Sequence, residues 1–471
     1  MIYNNAMLIR RDLLARMCKL MFEGELKEKI NRLPLEMVPR HSKNTRCCVH
    51  KERAVLKYSA MGILGFNVKD EEDEFMPLSE YVQMAEDRTE FTDVMLTVVD
   101  VACSSCVKIN YVVTNLCRTC VGHPCTFACK KNAISIHGKA EINHDTCVNC
   151  GMCLDACPFN AIIYQPVPCE ESCPVNAISK NENGIEYIDE TKCIYCGRCL
   201  ESCPFGAIIE KTYLVQITNA LKSGKRVKAM FAPALLGQFQ DDPEKIIAAI
   251  KQIGFDEVIE VAKGANETTR NETLEFEERM EQGQPFMTTS CCHSYTRLVE
   301  KNLPDLKPFV SDTKTPAYYT AEMIKKEDPD CVVVFIVPCV SKRHESYYNP
   351  NIDYAMSFEE LGAMLVAKQI EISKCEDATC DTTIHASGRG FCYSGGVADS
   401  VKQFAKHPEK IKEILIDGID KSTLRMLRQL PQNHGDANFV EVMMCKGGCV
   451  NGCDTLVNSK IALRQVKKVV K

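Results

Sequence analysis

The distribution of cysteines is the feature that most constrains this chain. Sixteen of its 29 cysteines lie between Cys103 and Cys203, all in groups where two to four residues separate neighbouring cysteines. Charged residues such as Arg16 and Glu23 interrupt the apolar part of the amino terminus, so the pattern is not that of an export signal. Because the cytoplasm keeps thiols reduced, closely spaced cysteines there are typical metal ligands. We therefore expect a cytoplasmic protein with a metal-binding block.

Part of this block is duplicated. The stretch Asp145–Ile163, DTCVNCGMCLDACPFNAII, agrees at most positions with Thr191–Ile209, TKCIYCGRCLESCPFGAII. Each copy has the spacing Cys-x2-Cys-x2-Cys-x3-Cys-Pro, which bacterial ferredoxins use for a [4Fe-4S] cluster whose fourth thiolate serves the neighbouring cluster. A zinc ribbon needs neither the third cysteine nor the proline. We expect residues 96–212 to form α+β ferredoxin-like [4Fe-4S] domains.

The same spacing rule divides the sixteen cysteines into four sets of four, and hence into about four accessory clusters. The last set is obtained only as the remainder. The sets are set 1 (Cys117, Cys120, Cys125 and Cys157), set 2 (Cys147, Cys150, Cys153 and Cys129), set 3 (Cys193, Cys196, Cys199 and Cys173) and set 4 (Cys103, Cys106, Cys169 and Cys203).

The charge and hydropathy of the chain bear on its partners. The net charge is −6, so the surface offers no electrostatic attraction to nucleic acid or to an anionic membrane. The longest apolar stretches, such as Cys331–Val337, are far shorter than the roughly 20 residues that cross a bilayer. We expect neither nucleic acid nor a membrane as a partner.

The parts before and after the cysteine block differ in pattern. Residues 1–95 are charged and mostly helical in pattern, and the adjacent Cys47 and Cys48 are interpreted as non-ligands, although they could be ligands. Residues 213–471 have an α/β pattern, with an apolar strand at 226–233, a helix from Asp242 to Gly254 and a strand at 255–261. This order predicts a parallel sheet, and such folds keep their chemistry at the carboxyl ends of the strands.

Three further cysteine motifs follow: TSCCHSY at 289–295, VPCVSKRHE at 337–345 and EVMMCKGGCVNGC at 441–453. Together they resemble the signatures of [FeFe]-hydrogenases, and the resemblance extends through the segments 232–235, 255–272, 311–316 and 390–397. The segment CCVHKERAVL near the amino terminus suggests the group B branch. The resemblance implies a catalytic domain with two lobes of twisted, mainly parallel sheets and flanking helices, preceded by the ferredoxin-like domains.

The resemblance also implies a cofactor, the H-cluster, which consists of a [4Fe-4S] cluster and a diiron subsite with carbon monoxide, cyanide and azadithiolate. Cys449 is expected to bridge its two parts, Lys342 to hydrogen-bond an iron-bound cyanide, and Cys291 to relay protons. Glu272 is matched to a family glutamate in the onward route, with Glu275 left open as the alternative. The implied residues are Cys292, Cys339, Cys445 and Cys449 for the [4Fe-4S] part, Ala232, Pro233, Ala234, Lys342 and Met443 around the subsite, and Cys291, Glu345, Ser311 and Glu272 for protons.

A member of this family reduces protons to H2 reversibly and exchanges electrons through its [4Fe-4S] clusters with a ferredoxin-like carrier. Dedicated maturation enzymes supply the diiron subsite. Two alternatives stay open, namely an H2 sensor and a noncatalytic iron–sulfur relative of the hydrogenase fold. His293 and Tyr295 stand where the best-studied group has proline and tryptophan, so the surroundings of the cofactor are expected to differ.

Overall fold

The computed structural model describes residues 4–43, 46–103, 106, 110–379 and 384–470. The amino-terminal part is helical, as its pattern predicts. The Asn4 side chain accepts a hydrogen bond from the Met7 backbone N–H at 2.9 Å and so caps the first helix, which ends at Gly24 in the left-handed conformation. The helices are α1 (Asn5–Glu23), α2 (Leu26–Lys29), α3 (Leu33–Met37), α4 (Val49–Ile63) and α5 (Leu78–Glu86).

The cysteine block consists of short helices and two-stranded antiparallel sheets. The strand pairs are β1–β8, β2–β5, β3–β4 and β6–β7 in the numbering that follows. We call residues 110–165 the first module. The elements are β1 (Leu96–Val98), α6 (Asp100–Cys103), β2 (Tyr111–Val113), α7 (Pro124–Ala128), β3 (Ile134–His137), β4 (Lys139–Ile142), α8 (Met152–Ala156), β5 (Ile162–Tyr164), α9 (Pro168–Ser172), β6 (Ile178–Lys180), β7 (Glu186–Ile188), α10 (Arg198–Ser202) and β8 (Ile208–Glu210).

The carboxy-terminal half contains two parallel sheets with flanking helices, which confirms the predicted fold class. The sheet orders are β10-β9-β12-β13 and β11-β15-β14. The elements are α11 (Leu214–Lys222), β9 (Val227–Phe231), α12 (Pro243–Ile253), β10 (Glu257–Glu260), α13 (Ala262–Glu281), β11 (Met287–Thr288), α14 (His293–Asn302), α15 (Pro316–Glu327), β12 (Val332–Val337), α16 (Val340–Tyr347), β13 (Tyr354–Ser357), α17 (Phe358–Ala367), α18 (Ala386–Gly390), α19 (Gly396–Phe404), β14 (Glu413–Asp417), α20 (Lys421–Gln429), β15 (Phe439–Met443) and α21 (Ser459–Val469).

One hydrophobic core joins the amino-terminal helices, much of the cysteine block and the first parallel sheet. The helix α1 packs along α17, where Arg10 and Arg11 pair with the buried Glu359 at 2.6 and 2.9 Å. The first module has a small core of its own, built around Ile134, Ile142 and Ile162. The amino-terminal helices are therefore part of the body that carries the rear half, whereas the first module packs largely on itself.

A buried cation holds the cysteine block to the first sheet. The Arg343 guanidinium is fully buried and donates hydrogen bonds to Glu210 at 2.6 Å and to Glu360 at 2.8 Å. A third bond, of 2.9 Å, goes to the carbonyl of Ala355. Because a buried charge is tolerated only when it is paired and hydrogen-bonded, these contacts fix the mutual position of β8, β13 and α17. In the part of the chain that the structure describes, no helix combines the length and hydropathy needed to span a bilayer.

Candidate functional site

Cysteines stand at the carboxyl ends of three parallel strands. Cys292 lies between β11 and α14, and Cys339 lies between β12 and α16. Cys445 and Cys449 follow β15. In parallel sheets the loops at this end of the strands converge, which is why such folds place their reactive groups there.

The four side chains come together in the interior. Burial raises the pKa of Cys339, and the neighbouring Cys449 and Cys445 raise it further. Burial likewise raises the pKa of Cys445, followed by the effects of Cys292 and Cys449. Burial and the charge of Cys292 raise the pKa of Cys449 to about 11. Because buried thiols become thiolates readily only beside a positive centre, this donor set suits an iron–sulfur cluster.

Two glycines shape the loop that carries two of these cysteines. Gly447 and Gly448 both have positive φ, 85° and 89°. A Cβ atom at Gly448 would lie 2.6 Å from the Cα atom of Tyr393 and 2.8 Å from the carbonyl oxygen of Cys392. The close approach of the backbone, together with the left-handed conformation, requires glycine at this position.

A small apolar cavity lies beside Cys449. It has a volume of about 50 Å³, and Cys291, Met443, Lys342, Ala232 and Pro233 are in its wall. The volume is sufficient for more than one water-sized group, since a single water needs roughly 10–15 Å³. Ala234 is fully buried in the turn that follows Pro233, where its carbonyl accepts a 3.1 Å hydrogen bond from the Gln238 amide.

Lys342 is the cation in the cavity wall. Its Nζ donates to the backbone carbonyl of Cys291 at 2.9 Å and to Glu345 at 2.5 Å. Burial lowers the pKa of Lys342, but the Glu345 carboxylate outweighs this effect and the net pKa lies above the ordinary lysine value. Glu345 also accepts a hydrogen bond from Thr315 Oγ1. Lys342 is therefore held charged at the cavity, and Glu345 is committed to that ion pair.

Cys291 lies next to the four-cysteine set without being one of its members. Burial raises the pKa of its thiol strongly, and the charge of Glu272 is the next largest cause. Glu272 is fully buried on α13, and burial raises its pKa to about 8, helped by Glu275 and Glu441. Neither of its carboxylate oxygens has a hydrogen-bond partner in the described part of the chain, although the nearby Ser290 backbone N–H lowers the pKa slightly. Glu272 is thus a fully buried carboxyl group close to the thiol of Cys291.

The next group outward is Glu275, one turn further along α13. Ser311 Oγ donates to Glu275 at 2.7 Å, and the Thr313 hydroxyl does so at the same distance. Arg279 pairs with Glu275 at 2.6 Å and with the exposed Asp312 at 2.8 Å. Burial raises the pKa of Glu275, but these donors outweigh it and hold the pKa below the usual value. Ser311 therefore contacts Glu275, the alternative left open by the sequence, and not Glu345.

Four of the accessory cysteines, each the last of its group, share a repeated local geometry. In each of four copies, the Sγ atom of the last cysteine accepts a hydrogen bond from the backbone N–H four residues later, at 3.2–3.4 Å. The residue between them, three positions after the cysteine, has positive φ in every copy. The cysteines are Cys129, Cys157, Cys173 and Cys203, and the residues with positive φ are Asn132, Asn160, Asn176 and Gly206.

Electrostatic contacts join cysteines within the sets defined from spacing. After burial, the pKa of Cys125 is raised by Cys157 and Cys120 of set 1, and that of Cys153 by Cys147 and Cys129 of set 2. Set 3 shows the same in Cys193, which Cys196 and Cys173 influence, and set 4 in Cys169, which Cys203, Cys106 and Cys103 influence. No three Cys, His, Asp or Glu side chains of the described residues lie close enough to hold a single ion. A cube-shaped cluster has thiol ligands that stand farther apart than those of one ion.

Set 3 lies beside the four-cysteine site, and set 4 lies beside set 3. Cys196 of set 3 influences the pKa of Cys445, and Cys169 of set 4 influences that of Cys199. The guanidinium of Arg198, beside Cys199, donates a 3.1 Å hydrogen bond to the carbonyl of Met444. The order from the site outward is therefore set 3 and then set 4.

A histidine pair connects set 3 to the site, and the sequence reasoning missed it. His293 follows Cys292 and shares a 2.8 Å hydrogen bond with His344. The ring of His344 is stacked on Tyr195, between Cys193 and Cys196, with centroids 4.0 Å apart. Burial lowers the pKa of both histidines to about 3, so the pair is neutral. The departure from proline at position 293 was visible in the sequence, but its partner 51 residues away was not.

Among the residues that the structure describes, the remaining cysteines belong to no group that could hold a metal ion. Cys47 and Cys48 have their sulfurs 3.9 Å apart, with Cys47 exposed. Cys392 is in the cavity wall, and burial raises the pKa of Cys453, with further increases from Asp454 and Cys339. Cys380 lies outside the described residues.

The chain matches three family models over its rear two thirds. Residues 225–453 match the C-terminal domain of the iron-only hydrogenase large subunit, residues 163–214 the LdpA Fe-S cluster-binding domain and residues 140–163 a 4Fe-4S binding domain. The fold and these matches define an iron–sulfur protein with a hydrogenase-type carboxy-terminal half. The chain is an [FeFe]-hydrogenase-like protein.

The chain is also similar to individual proteins. Iron hydrogenase 1 of Clostridium pasteurianum is 30% identical over 66% of this chain, and the match spans 64% of that relative's length. The cytosolic Fe-S cluster assembly factor NAR1 of Eremothecium gossypii is 22% identical over 37% of this chain and 53% of its own. The solved structure of the [FeFe]-hydrogenase HydA1 from Chlamydomonas reinhardtii is similar with a TM-score of 0.45 and 19% identity, covering 54% of this chain and 88% of that one.

Proposed function

We propose that the protein is a hydrogenase that reduces protons to H2 reversibly at an H-cluster. The observation that carries this proposal is the convergence of Cys292, Cys339, Cys445 and Cys449 beside a cavity that also contains the free thiol Cys291. Four cysteines suffice for a cube, so a fifth thiol on the cavity side has no structural purpose as a ligand. A neighbouring cavity with a fixed cation fits a second, anionic part of the cofactor.

In this proposal, Cys292, Cys339, Cys445 and Cys449 bind the [4Fe-4S] part, and Cys449 also holds the diiron subsite. When bound, the subsite supplies the iron centre at which H2 is formed or split. Lys342 would donate a charge-assisted hydrogen bond to a cyanide of the bound subsite, worth roughly 1.5–3 kcal/mol where water is excluded. Met443, Ala232 and Pro233 enclose the subsite and exclude water, while Glu345 keeps Lys342 charged and pointed at the cavity.

The protein's own part of the chemistry is proton transfer. Cys291 would exchange a proton with the group bound in the cavity. Glu272 accepts that proton from Cys291 and returns it, because the pKa of Glu272, about 8, lies near neutrality. From Glu272 the route continues to Ser311 and Glu275, and it reaches solvent near Arg279 and Asp312. In this assignment Glu345 positions Lys342 and does not carry protons.

Electrons take a separate route. We propose that sets 1 to 4 each bind a [4Fe-4S] cluster, that set 3 passes electrons to the site, and that a ferredoxin-like protein is the external carrier. The group B assignment, the cytoplasmic location and the need for dedicated maturation enzymes remain parts of the same proposal. Protons and electrons would thus enter on different sides of the catalytic half.

The second candidate is a noncatalytic relative, which the similarity to NAR1 supports. The deciding experiment is anaerobic maturation with the diiron subsite, followed by infrared spectroscopy and H2 evolution from reduced methyl viologen. We expect iron-bound carbon monoxide and cyanide bands together with H2 evolution. A protein that contains all its iron but shows neither after maturation would favour the noncatalytic candidate.

A further inference from the structure

The first module has one end that faces away from the rest of the protein. The chain enters it at β2 and leaves it at β5, and these paired strands lie beside set 2. Tyr111 of β2 is close to Cys153, and Tyr164 of β5 donates a hydrogen bond to Glu171 of the next module. Set 1 lies at the opposite end, where β4 contributes Lys139 near Cys117. Within the first module, set 1 is therefore the set farther from the two strands by which the chain enters and leaves.

The cysteine copy that closes at Cys129 differs from the other three at surface positions. Phe127 stands two residues before this cysteine, where the other copies have the carboxylates Asp155, Glu171 and Glu201. The two residues after Cys129 are Lys130 and Lys131, where the others have proline followed by valine or phenylalanine. A fold shared by four copies does not require phenylalanine at an exposed position that is acidic in three of them. The difference therefore calls for a reason other than folding.

The same end of the module is apolar at its centre. Val121 is 97% exposed, Phe127 86% and Leu116 58%. Val121 belongs to the longer spacing between Cys120 and Cys125, four residues in place of two. Leu116 and Val121 stand next to cysteines of set 1, and Phe127 lies between Cys125 of set 1 and Cys129 of set 2. Large side chains exposed to this extent and close together in the chain are typical of a surface that contacts another protein.

The charge of this end is opposite to that of the chain as a whole. Residues 110–140 contain four Lys or Arg residues and no Asp or Glu, whereas the whole chain carries −6. All four cations are exposed, namely Arg118, Lys130, Lys131 and Lys139. We call this surface, made of the three apolar residues and the four cations, the cluster-1 face. It is complementary to an acidic partner and not to a basic one.

We propose that the cluster-1 face is the docking site for an acidic electron-carrier protein with a cluster of its own. This inference rests on the proposed electron route and adds where and by what chemistry the carrier binds. The cations steer the encounter, and the apolar residues form the dry contact over set 1. Each encounter moves one electron from the reduced carrier to the set 1 cluster, so the carrier is oxidised, the cluster is reduced and no bond forms or breaks. Two encounters supply one H2.

The test uses the full-length protein with its clusters and a reduced, strongly acidic ferredoxin as the probe. Stopped-flow absorbance follows reduction of the accessory clusters, a step that needs no H2 turnover and is therefore independent of the catalytic proposal. The variant is Phe127→Glu, which restores the residue type of the other copies and is compatible with the fold. The control is Val366→Glu, at a position on α17 that is 66% exposed and far along the chain from the module.

We expect Phe127→Glu to lower the second-order rate constant for ferredoxin about tenfold or more at low salt, while Val366→Glu leaves it unchanged. Reduction by the small dye methyl viologen should stay within about twofold of the unsubstituted protein, because the dye needs no docking face. The double variant Lys130→Glu/Lys131→Glu should also weaken the salt dependence of the ferredoxin reaction. An iron content equal to that of the unsubstituted protein confirms that the clusters are retained.

Two outcomes would overturn the proposal. One is a ferredoxin rate that Phe127→Glu leaves unchanged. The other is an equal loss in Phe127→Glu and Val366→Glu. The rival entry point is the surface groove of about 990 Å³ beside Cys173, whose wall includes Lys421. If Lys421→Glu lowers the ferredoxin rate and Phe127→Glu does not, the carrier docks at that groove and the cluster-1 face is not its site.

Discussion

Ser311 and Glu275 are joined by a 2.7 Å hydrogen bond, and the same carboxylate is paired with Arg279 at 2.6 Å. Glu272 lies three residues earlier on α13 and is fully buried. Residues three apart on a helix share a face, so the two glutamates form a line from the free thiol Cys291 to the surface. Glu272 is fully buried and has a raised pKa, whereas Glu275 accepts several hydrogen bonds and has a lowered pKa. Because their pKa values shift in opposite directions, the roles of the two glutamates can be tested separately.

Replacing Cys291 with alanine should leave the clusters in place and remove most of the turnover. The thiol contributes no ligand in our assignment, so iron content and infrared bands of the matured protein should not change. Loss of a positioned proton donor typically costs about 10²–10⁴-fold in rate. H2 evolution from reduced methyl viologen measures the effect, and full activity in Cys291→Ala would refute the relay.

The Glu272→Gln variant should lose activity to a similar extent, about 10²-fold, because the amide cannot exchange a proton. Glu275→Asp is the matched control, since it keeps a carboxyl group next to Ser311 and should retain more activity. The infrared band of a protonated carboxyl group should disappear as the pH rises, with an apparent pKa of about 8. The Glu272→Gln variant should lack this band. A band that persists in this variant would show that another carboxyl group carries the proton.

The pH dependence of stability follows from the same residue. The pKa of Glu272 is about 8 in the folded protein and about 4.3 in the unfolded chain. Between these two pH values the folded state keeps a proton that the unfolded chain has lost. Its contribution to stability is complete below about pH 4.3 and is lost as the pH rises to 8. The free energy of unfolding should fall by at most about 5 kcal/mol over this range from this group. Urea unfolding at several pH values should show a smaller fall in Glu272→Gln than in the unsubstituted protein.

Substitution of the buried cation Arg343 should lower the stability of the protein. Arg343→Met leaves Glu210 and Glu360 without their partner, and breaking such a buried pair typically costs about 3–5 kcal/mol. The triple variant Arg343→Met/Glu210→Gln/Glu360→Gln should recover part of this loss, because no unpaired charge remains. Thermal unfolding of the three proteins checks the order. Equal stability of the single and triple variants would contradict it.

Gly448→Ala should prevent formation of the four-cysteine site. The added Cβ would lie 2.6 Å from the Cα atom of Tyr393, and alanine also disfavours a φ of 89°. The loop with Cys445 and Cys449 would have to move, so we expect loss of about one cluster's iron with the accessory clusters retained. Gly435→Ala, at a positive φ with open space around it, is the control and should keep its iron.

Local spacing predicted the iron–sulfur character of the cysteine block, because ligands within one loop are fixed by a few residues of chain. The strands β9, β10 and β12 and the helix α12 were likewise readable from apolar runs and from Pro243 and Gly254. Glu272 and Glu275 could not be separated, because one helical turn places both on the same face. His344 could not be assigned either, since its burial against Tyr195 and His293 depends on contacts between distant segments.

The packing of α1 on α17 limits how the amino-terminal helices can be removed or exchanged between related chains. Arg10 and Arg11 meet a glutamate of the rear half, and the leucines and methionines of α1 lie in the same core as the first sheet. A fragment that starts at residue 96 would expose that strip and is expected to aggregate. Exchange of the front helices between relatives would therefore succeed only where the α17 face is exchanged with them.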